Sequence, residues 1–464
     1  MEQRKDIAII GGGPGGYLAA LRASQLRKTV VLFEEDRVGG TCMNYGCIPT
    51  KYLLHQTKIL KEIRDTKTLS GAEGAGLDWA AVQAGRKSVV DRLVKGIEFL
   101  LGKGGVEIVK GRAKLEDRGR IVVETPDGPG VYHAADTILA SGSRASALPF
   151  LKPNGVEVVT STEALAFPDV PGSLLVIGAG AIGLEMGSIY RRLGTDVTIL
   201  EILPGITPGS DKESAIRLER ALKKQGLKIL TQMNIGSAEV APGRVTLKGT
   251  CLKSNVPFEY AADKVLLAAG RRPNSEDLAS AGMLRLDRAG FVQVNDRLET
   301  GIPGVYAIGD LIGGKLLAHK AFHDAIVAVE NASGFDRTVD YRALPMAVFT
   351  DPEFASVGLT QEEAEAKAIK VRSGVFPLQA SGRALTMDSL DGMVKILADE
   401  NERVIGAHIV APAASEMIHE MALAVAKGIT LGEIGGLIHI HPTLSETIGE
   451  AALKARNEAL HILN

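Results

Sequence analysis

Two cysteines near the N-terminus offer a redox centre. Cys42 and Cys47 lie five positions apart in the segment GGTCMNYGCIPTK. A regular helix cannot bridge this spacing, because a disulfide requires Cα atoms within about 7 Å of each other. A distorted turn through Asn44 and Gly46 would bring the two sulfurs together. Pro49 suits the first turn of a helix that begins near Cys47, where the helix dipole would stabilise a thiolate.

Other roles for these cysteines are weaker hypotheses. A zinc site would need two further ligands at suitable spacing, and Cys251 is the third and last cysteine of the chain. Cys251 lies in the polar stretch LKGTCLKSNVPFEY, which is typical of a bystander. Two unrelated buried cysteines are the remaining alternative. We therefore predict a redox pair and no metal site.

The segment LIHIHPTLSETIGE near the C-terminus offers a proton acceptor, which thiol chemistry needs. His441 could be the base, and Glu446 the carboxylate that orients it. The spacing fits equally well a capping box at a helix start over residues 443–446. His439 and His441 alternate like strand residues and could suggest a metal pair, but no third ligand has suitable spacing. From spacing alone, the base and the capped helix remain equal alternatives.

Two glycine fingerprints indicate two dinucleotide sites. In such a fingerprint the first glycine allows a tight turn, the second lets the backbone approach a pyrophosphate, and the third permits close helix packing. The start of the following helix then faces the phosphates. The first fingerprint comprises Gly11, Gly13 and Gly16, and the second comprises Gly178, Gly180 and Gly183.

Acidic residues follow both fingerprints. Glu34 ends the strand after the first one, where a carboxylate can accept hydrogen bonds from ribose hydroxyls. Glu201 ends the strand after the second fingerprint, where its carboxylate would repel the 2′-phosphate of NADP. Because no arginine follows Glu201 closely, the sequence favours NAD over NADP. A solvated charge at a strand end is the alternative for Glu201. Glu185 lies early in the helix after the second fingerprint. Its carboxylate could interact favourably with the helix dipole, or it could face a nicotinamide or a lysine.

Two dinucleotides and a dithiol need a chemical link. A nicotinamide delivers hydride, whereas a disulfide accepts two electrons by thiolate exchange. A flavin accepts hydride and also reacts with a thiolate, so it connects the two chemistries. We therefore predict FAD in the first site and a nicotinamide dinucleotide in the second.

The elements that must position these residues repeat along the chain. Residues 7–34 and 174–201 both show the pattern strand, glycine turn, helix, strand and acidic residue. This duplication predicts an α/β fold with two doubly wound dinucleotide-binding domains. Apolar residues at helical spacing predict a long amphipathic helix over 82–101, and residues 121–131 resemble a strand and turn.

From residue 343 onward the pattern is α+β without a glycine fingerprint. Strands are predicted over 347–349, 393–397 and 404–409, and helices over 362–368 and 413–426. We predict an FAD-binding domain over 1–148, an NAD-binding domain over 149–270, a central segment over 271–342, and a C-terminal unit over 343–464 whose task is something other than binding a dinucleotide.

Composition excludes several classes of function. The 464 residues are enough for roughly three domains. The 53 Lys and Arg residues nearly balance the 55 Asp and Glu residues, so electrostatics favours neither nucleic acid nor an anionic membrane as a partner. No run reaches roughly 18 uninterrupted apolar residues, and glycines interrupt the apolar N-terminal segment. A soluble, cytoplasmic protein is expected.

Taken together, the motifs resemble the pyridine nucleotide-disulfide oxidoreductases along nearly the whole chain. The matching segments are GGGPGG, GGTCMNYGCIPTK, ILASGSRASALP, GAGAIGLEMGS, AAGRRPN, GVYAIGD followed by LLAHKA, and HPTLSE. The cysteine segment and HPTLSE are highly specific in combination, whereas glycine fingerprints alone occur in many unrelated enzymes.

For the redox centre, the resemblance implies specific roles. Cys42 would exchange with the substrate, and Cys47 would contact the flavin as a thiolate. His441, oriented by Glu446, would be the acid/base for the cysteine pair of the other subunit. Residues 343–464 would therefore form a dimerisation domain, and a homodimer would be required for activity. Residues 271–342 would complete the FAD-binding domain.

For the cofactors, the resemblance implies that Lys51 and Glu185 form a pair by the flavin and nicotinamide. Asp310 would hold the ribityl chain of FAD, and residues 317–319 would line the pyrimidine edge of the flavin. With the fingerprints, the FAD residues would be Gly11, Gly13, Gly16, Glu34, Lys51, Ser141, Gly142, Asp310, Leu317, Ala318 and His319. The NAD residues would be Gly178, Gly180, Ile182, Gly183, Glu185, Glu201 and Gly270.

The implied reaction is oxidation of dihydrolipoyl-lysine to lipoyl-lysine with reduction of NAD⁺. The partner would be a lipoyl-bearing protein or a small dithiol, within a 2-oxo acid dehydrogenase complex in some cases. Alternatives are another NAD(P)H-dependent disulfide or mercuric reductase, or a mainly structural subunit of such a complex. Mercuric reductases typically carry a vicinal cysteine pair near their end, whereas this chain ends EALHILN.

Several positions depart from the family pattern. Ser141 stands where threonine is usual and retains a hydroxyl group. After LAHKA, where a Glu-Gly pair is common, the chain has Phe322, His323, Asp324 and Ala325. Ser381 stands where asparagine is usual. These departures lie away from the dithiol centre and bear on the substrate rather than on the reaction class.

Overall fold

The N-terminal apolar strand runs into a glycine turn, as its sequence predicts. The computed structural model of the protein describes residues 3–280 and 282–464. The chain divides into two units. The first contains the chain up to Leu53, Asp78–Ser146 and Gly270–Asp340, and the second contains Leu54–Leu77, Ala147–Ala269 and Tyr341–Asn464.

The strands and helices follow one another in chain order. Up to residue 146 they are β1 (Gln3–Ile10), α1 (Pro14–Gln25), β2 (Val30–Glu34), α2 (Gly40–Tyr45), α3 (Cys47–Asp65), α4 (Trp79–Lys103), β3 (Glu107–Lys110), β4 (Arg112–Asp117), β5 (Arg120–Thr125), β6 (Gly128–Leu139) and β7 (Ser143–Ala145). Then follow β8 (Val158–Val159), α5 (Ser161–Ala164), β9 (Ser173–Ile177), α6 (Ala181–Arg192), β10 (Asp196–Leu200), α7 (Lys212–Lys224), β11 (Lys228–Leu230), β12 (Met233–Ala241), β13 (Arg244–Cys251), β14 (Pro257–Ala262) and β15 (Lys264–Leu267).

The last part of the chain begins with β16 (Arg271–Pro273), β17 (Val305–Ala307) and α8 (Ala318–Ala332). The C-terminal elements are β18 (Met346–Val348), β19 (Glu353–Gly358), α9 (Gln361–Ala366), β20 (Arg372–Pro377), α10 (Gly382–Thr386), β21 (Met393–Ala398), β22 (Val404–Ala411), α11 (Ala414–Lys427), α12 (Leu431–Gly435) and α13 (Glu446–Ala455). Short 3₁₀ turns lie at Ala72–Gly74, Gly309–Ile312 and Leu378–Ala380.

The first unit is built on a seven-stranded sheet in the order β3-β2-β1-β6-β5-β4, with β17 also paired to β6. Strands β3, β2, β1, β6 and β17 are parallel, whereas β4 and β5 are antiparallel. Buried apolar side chains cover both faces, as is typical of a parallel sheet. Helix α4 contains the predicted amphipathic helix, and β5 with the start of β6 forms the predicted strand and turn.

The second unit contains another parallel sheet, in the order β11-β10-β9-β15-β8. Strand β9 has the apolar sequence SLLVI, and four of its five residues are buried. Such a continuous apolar run suits a strand that is covered on both faces. An antiparallel sheet, β12-β13-β14, packs against it through a common apolar core. The predicted fold class, with two doubly wound sheets, is therefore confirmed.

The C-terminal part of the second unit is an antiparallel sheet, β18-β19-β22-β21-β20, packed against α11 and α13. The predicted elements are present with shifted ends. The strand predicted over 347–349 is β18, which ends at Val348, and the helix predicted over 362–368 ends at Ala366. In the part of the chain that the structure describes, no helix combines the length and apolar character needed to cross a membrane.

Candidate active site

Cys42 and Cys47 form a disulfide, with their Cα atoms 4.7 Å apart. Helix α2 ends at Tyr45, the backbone of the following Gly46 is not helical, and a new helix, α3, begins at Cys47. This break brings together two cysteines that a continuous helix would separate. The amide of the buried Asn44 donates to the carbonyls of Val38 and Gly40, at 3.2 and 3.0 Å, and holds the loop. The predicted distorted turn is thus present.

The position of Cys47 favours a thiolate once the disulfide is reduced. Cys47 is the first residue of the 19-residue helix α3. Backbone N–H groups at a helix start carry partial positive charge, which lowers the pKa of a thiol there. Cys42 and Cys47 therefore differ in electrostatic surroundings, which suits one cysteine for exchange and the other for leaving as a thiolate.

The three glycines of the first fingerprint differ in how closely other atoms approach them. Gly11 has a φ of +103°, and a Cβ there would collide with the carbonyl oxygen of Ala140. A Cβ on Gly16 would collide with the carbonyl oxygen of Gly11, so helix α1 lies against the turn. By contrast, the atom nearest to a Cβ on Gly13 would be 4.0 Å away. Gly13 thus leaves open space at the start of α1, where a phosphate group would fit.

The second fingerprint repeats this geometry. Gly178 has a φ of +108°, and a Cβ there would collide with the carbonyl oxygen of Ala268. A Cβ on Gly183 would collide with Gly178, whereas a Cβ on Gly180 would meet nothing within 4 Å. Gly180 is the residue before α6 and has no side chain to cap that helix. The first backbone N–H groups of α6 therefore face space that can hold an anionic group.

Glu34 and Glu201 make equivalent hydrogen bonds. Each accepts from the backbone of its own glycine turn, Glu34 from Gly12 and Glu201 from Ala179, both at 2.7 Å. The second oxygen of Glu201 accepts from the backbone N–H of Leu203 at 2.9 Å. Glu201 is only 5% exposed, so the alternative of a solvated charge is wrong. Burial raises the pKa of Glu34 above its ordinary value.

Residues that the sequence places far apart converge beside the first sheet. The Ser141 hydroxyl donates to the carbonyl of Asn274 at 2.8 Å. The Asp310 carboxylate accepts from the Ser143 hydroxyl, and Arg271 donates to that hydroxyl at 2.7 Å. Ser143 and Arg271 were absent from the predicted set, although both lie in the matching segments ILASGSRASALP and AAGRRPN. They connect the loop at Ser141 to Asp310.

One of the departures after LAHKA, Asp324, forms a buried ion pair with Lys320 of that segment. Leu317 precedes α8, and Ala318 is its first residue. The Lys320 ammonium lies 2.8 Å from the Asp324 carboxylate, with side chains 4% and 0% exposed. Asp324 also accepts from the backbone N–H of Gly309, next to Asp310, at 3.0 Å. Asp324 therefore has a defined structural partner despite its departure from the family pattern.

His441 and Glu446 lie together at the start of α13. The imidazole Nδ1 is 2.8 Å from Glu446 Oε1, and Glu446 Oε2 accepts from the backbone N–H of Thr443 at 2.7 Å. The structure thus contains a part of both alternatives: Glu446 contacts the imidazole of His441, and it also accepts a backbone hydrogen bond as in a capping box. The helix starts later than predicted, at Glu446 with Ser445 before it, so Thr443 is not its N-cap. The His441 side chain is 81% exposed.

The remaining predicted residues lie in both units. Lys51 is on α3 in the first unit, and Glu185 is on α6 in the second, so their pairing stays a prediction. Glu185 is 4% exposed and accepts from the backbone N–H of Phe349 at 3.0 Å. Ile182 is on α6, and Gly270 has a φ of +113°. Among the described residues, no group of three or more His, Cys, Asp or Glu side chains could hold a metal ion.

Comparisons with known proteins agree with this geometry. Residues 5–331 match the family model of pyridine nucleotide-disulphide oxidoreductases, and residues 344–452 match the dimerisation domain of that family. The chain is 42% identical to a dihydrolipoyl dehydrogenase from Thermus scotoductus, with 99% of each chain covered. It is 39% identical to a leghemoglobin reductase from Vigna unguiculata, covering 97% of this chain and 87% of that protein.

Solved structures show the same architecture. LpdA from Mycobacterium tuberculosis superposes with a TM-score of 0.87 at 28% identity, covering 97% of this chain and 99% of that one. The HOCl-induced flavoprotein disulfide reductase RclA from Escherichia coli gives 0.84 at 25% identity, covering 96% and 99%. The dimerisation-domain match supports a homodimer. The chain therefore belongs to the pyridine nucleotide-disulphide oxidoreductase family and is an FAD- and NAD-dependent disulfide oxidoreductase.

Proposed function

We propose that this enzyme oxidises dihydrolipoyl-lysine to lipoyl-lysine with reduction of NAD⁺. The observation that carries the proposal is the Cys42–Cys47 disulfide at the start of α3, in the same unit as the first glycine turn. Further support comes from relatives named dihydrolipoyl dehydrogenase, which are about 40% identical over nearly their whole length. The physiological donor would be a lipoyl-bearing protein, within a 2-oxo acid dehydrogenase complex where the cell contains one.

The first half of the reaction uses side chains of the protein. His441 accepts a proton from a substrate thiol, while Glu446 holds the imidazole through Nδ1. The substrate thiolate attacks Cys42, the disulfide breaks, and Cys47 leaves as a thiolate that the start of α3 stabilises. The second substrate thiol then attacks the substrate sulfur bound to Cys42, and its proton passes to Cys42, which leaves as a thiol. The substrate is then a disulfide, Cys42 a thiol and Cys47 a thiolate, and His441 holds the first proton.

Bound FAD would carry the two electrons from the cysteine pair to NAD⁺ as a hydride. For FAD, the first glycine turn would hold the pyrophosphate at Gly13, with Glu34 at the ribose. We assign Asp310 to the ribityl chain, since Ser143 and Arg271 hold its carboxylate in place. Lys51, Ser141, Gly142 and the segment Leu317 to His319 complete the proposed flavin contacts.

For NAD, the second glycine turn would hold the pyrophosphate at Gly180. The buried Glu201 carboxylate would accept from the ribose and repel a 2′-phosphate. The residues after it, Ile202 and Leu203, carry no charge that could compensate a phosphate. Glu185, Ile182 and Gly270 complete the proposed nicotinamide side.

We further propose that the subunits of the dimer share each active site. His441 is highly exposed in its own chain, as expected of a base that serves a second copy. Its neighbours Ile438 and Ile440 are 95% and 80% exposed, so the segment carries apolar surface for a partner. We accordingly assign FAD binding to residues 1–148 and 271–342, NAD binding to residues 149–270, and dimerisation to residues 343–464.

Steady-state assays of the flavin-loaded enzyme test the substrate. NAD⁺ reduction by dihydrolipoamide is compared with NADP⁺ reduction, and NADH oxidation is measured with lipoamide, glutathione disulfide and Hg²⁺ as acceptors. We expect the highest kcat/KM for the dihydrolipoamide and NAD⁺ pair. A higher kcat/KM with glutathione disulfide or Hg²⁺, or a preference for NADPH, would assign the enzyme to another branch of the family. No turnover with any pair would favour a structural role.

A further inference from the structure

A half-buried carboxylate outside the proposed reacting groups lies in the loop between β18 and β19. The Asp351 side chain is 17% exposed and faces two lysines of α3, Lys61 at 3.3 Å and Lys58 at 3.7 Å. Burial by itself would raise the pKa of Asp351, but Lys58, Lys61 and Arg192 lower it below its ordinary value. Asp351 therefore forms ion pairs with two lysines of α3, which also pair with Glu62 and Asp65 on their own helix.

Arg192 connects this cluster to α6. It is the last residue of that helix, is 9% exposed, and donates to the carbonyl of Leu54 at 3.4 Å. Its own carbonyl accepts from Arg64 at 3.3 Å. Burial lowers the pKa of Arg192, whereas the charge of Asp351 opposes that shift. Asp351 thus compensates a largely desolvated guanidinium at the end of α6.

The same loop also contacts a residue in the N-terminal half of α6. Two residues before Asp351, the backbone N–H of Phe349 donates to Glu185 Oε1 at 3.0 Å. Glu185 precedes Arg192 by seven residues, which is about two helical turns. The loop over residues 349–351 is therefore fixed to α6 through the hydrogen bond from Phe349 to Glu185, and to α3 through the ion pairs of Asp351 with Lys58 and Lys61.

We propose that Asp351 is a positioning residue for the nicotinamide side of the active site. Its ion pairs fix the loop so that the Phe349 N–H holds the Glu185 carboxylate in one orientation. Without the Asp351 charge, Lys58 and Lys61 would keep only their partners on α3, Glu62 and Asp65. The loop would lose its ion pairs with α3 and shift, and the hydrogen bond from Phe349 to Glu185 would weaken. The inference rests on the placement of Glu185 at the nicotinamide in the proposed function.

The test measures the two half-reactions of the flavin-loaded enzyme separately, without oxygen. Flavin reduction by NADH reports the nicotinamide side, and flavin reduction by dihydrolipoamide reports the thiol side. For Asp351→Asn we expect the NADH half-reaction to slow about tenfold, since small misplacements of positioning groups have effects of this size or larger. The dihydrolipoamide half-reaction should stay within about twofold of the wild type. Asp351→Glu keeps the charge and should restore most of the NADH rate.

The matched control is Asp391→Asn, which removes the more exposed ion pair between Asp391 and Lys224 of α7 in the same unit. This control should change neither half-reaction. If Asp351→Asn does not fold, Lys61→Met removes one partner of the cluster and should slow the same half-reaction to a smaller degree. Equal slowing of both half-reactions, or no slowing of the NADH half-reaction in the folded variant tested, would overturn the proposal.

Failure of the proposed function gives a different result. If the wild type is not reduced by dihydrolipoamide, the substrate assignment fails, and the thiol side is then measured with dithiothreitol. The NADH half-reaction of the Asp351 variants still decides the positioning role in that case.

Discussion

The Nδ1 atom of His441 lies 2.8 Å from Oε1 of Glu446, while the rest of the imidazole faces outward. The other Glu446 oxygen is occupied by the backbone N–H of Thr443. Burial would raise the pKa of Glu446, but its hydrogen bonds with Thr443 and His441 lower it below its ordinary value. Glu446 is therefore ionised at neutral pH and fixes the orientation of a solvent-facing base.

Replacing Glu446 by glutamine should slow dithiol oxidation by about 10²-fold, because the base loses its orienting charge. NADH-dependent reduction of an artificial electron acceptor that bypasses the cysteines should remain close to the wild-type rate. Steady-state assays of both activities with the same preparation provide the measurement. Equal losses in both activities would show that Glu446 supports the fold rather than the base.

Mixed dimers test whether His441 serves the other subunit. Co-expressing Cys47→Ser and His441→Gln chains with different tags allows the heterodimer to be purified. It should retain about half of the wild-type activity, because one site combines an intact cysteine pair with an intact histidine. Both variant homodimers should be nearly inactive. A heterodimer as inactive as the homodimers would mean that His441 acts within its own chain.

The glycines of the second turn should respond differently to one added methyl group. Gly180→Ala places its Cβ in open space, so stability should be unchanged while the KM for NADH rises about tenfold. Gly183→Ala meets the carbonyl of Gly178 and should destabilise the protein by about 1–3 kcal/mol or more. Thermal unfolding and NADH kinetics measure both effects. Unchanged NADH binding in Gly180→Ala would place the pyrophosphate elsewhere.

Local patterns could be predicted from the sequence because neighbouring residues determine them. A Gly11 with positive φ and a helix start at Cys47 follow from turn and helix chemistry within a few residues. The helix predicted over 413–426 is likewise present as α11, which ends at Lys427 and is followed by the left-handed Gly428. The fold class and the pairing of Cys42 with Cys47 could therefore be predicted from the sequence.

Contacts between distant segments could not be predicted in the same way. Arg271 and Ser143 are 128 residues apart, and Lys395 and Asp211 are 184 apart, so no spacing rule connects them. The role of Glu446 was ambiguous for another reason. A carboxylate has two oxygens, and this one accepts from the backbone and contacts His441 at once.

A buried histidine outside the proposed site predicts a pH-dependent stability. His408 on β22 is fully buried, contacts the carbonyl of Leu359 at 3.1 Å, and lies near the charges of Asp211, Lys395 and Glu362. Burial lowers the pKa of His408. Below about pH 6.5 the unfolded chain binds a proton at this position that the folded chain does not, so stability falls as pH falls.

The titration of His408 changes the free energy of unfolding by at most about 1.4 kcal/mol per pH unit, and this free energy decreases as the pH falls. His408→Gln should therefore show a flatter dependence of unfolding free energy between about pH 6.5 and 5, a window above the ordinary pKa range of carboxylates. Urea unfolding at several pH values, analysed for both proteins, measures the difference. Parallel curves for both proteins would mean that His408 is protonated in the folded state.

The most direct test of the central claim is dithiol-dependent NAD⁺ reduction by the Cys47→Ser variant, measured with its FAD content. If electrons pass through the Cys42–Cys47 pair, the variant binds FAD normally and is reduced by NADH, yet does not reduce NAD⁺ with dihydrolipoamide. Turnover with dihydrolipoamide at a rate near that of the wild type would contradict the account.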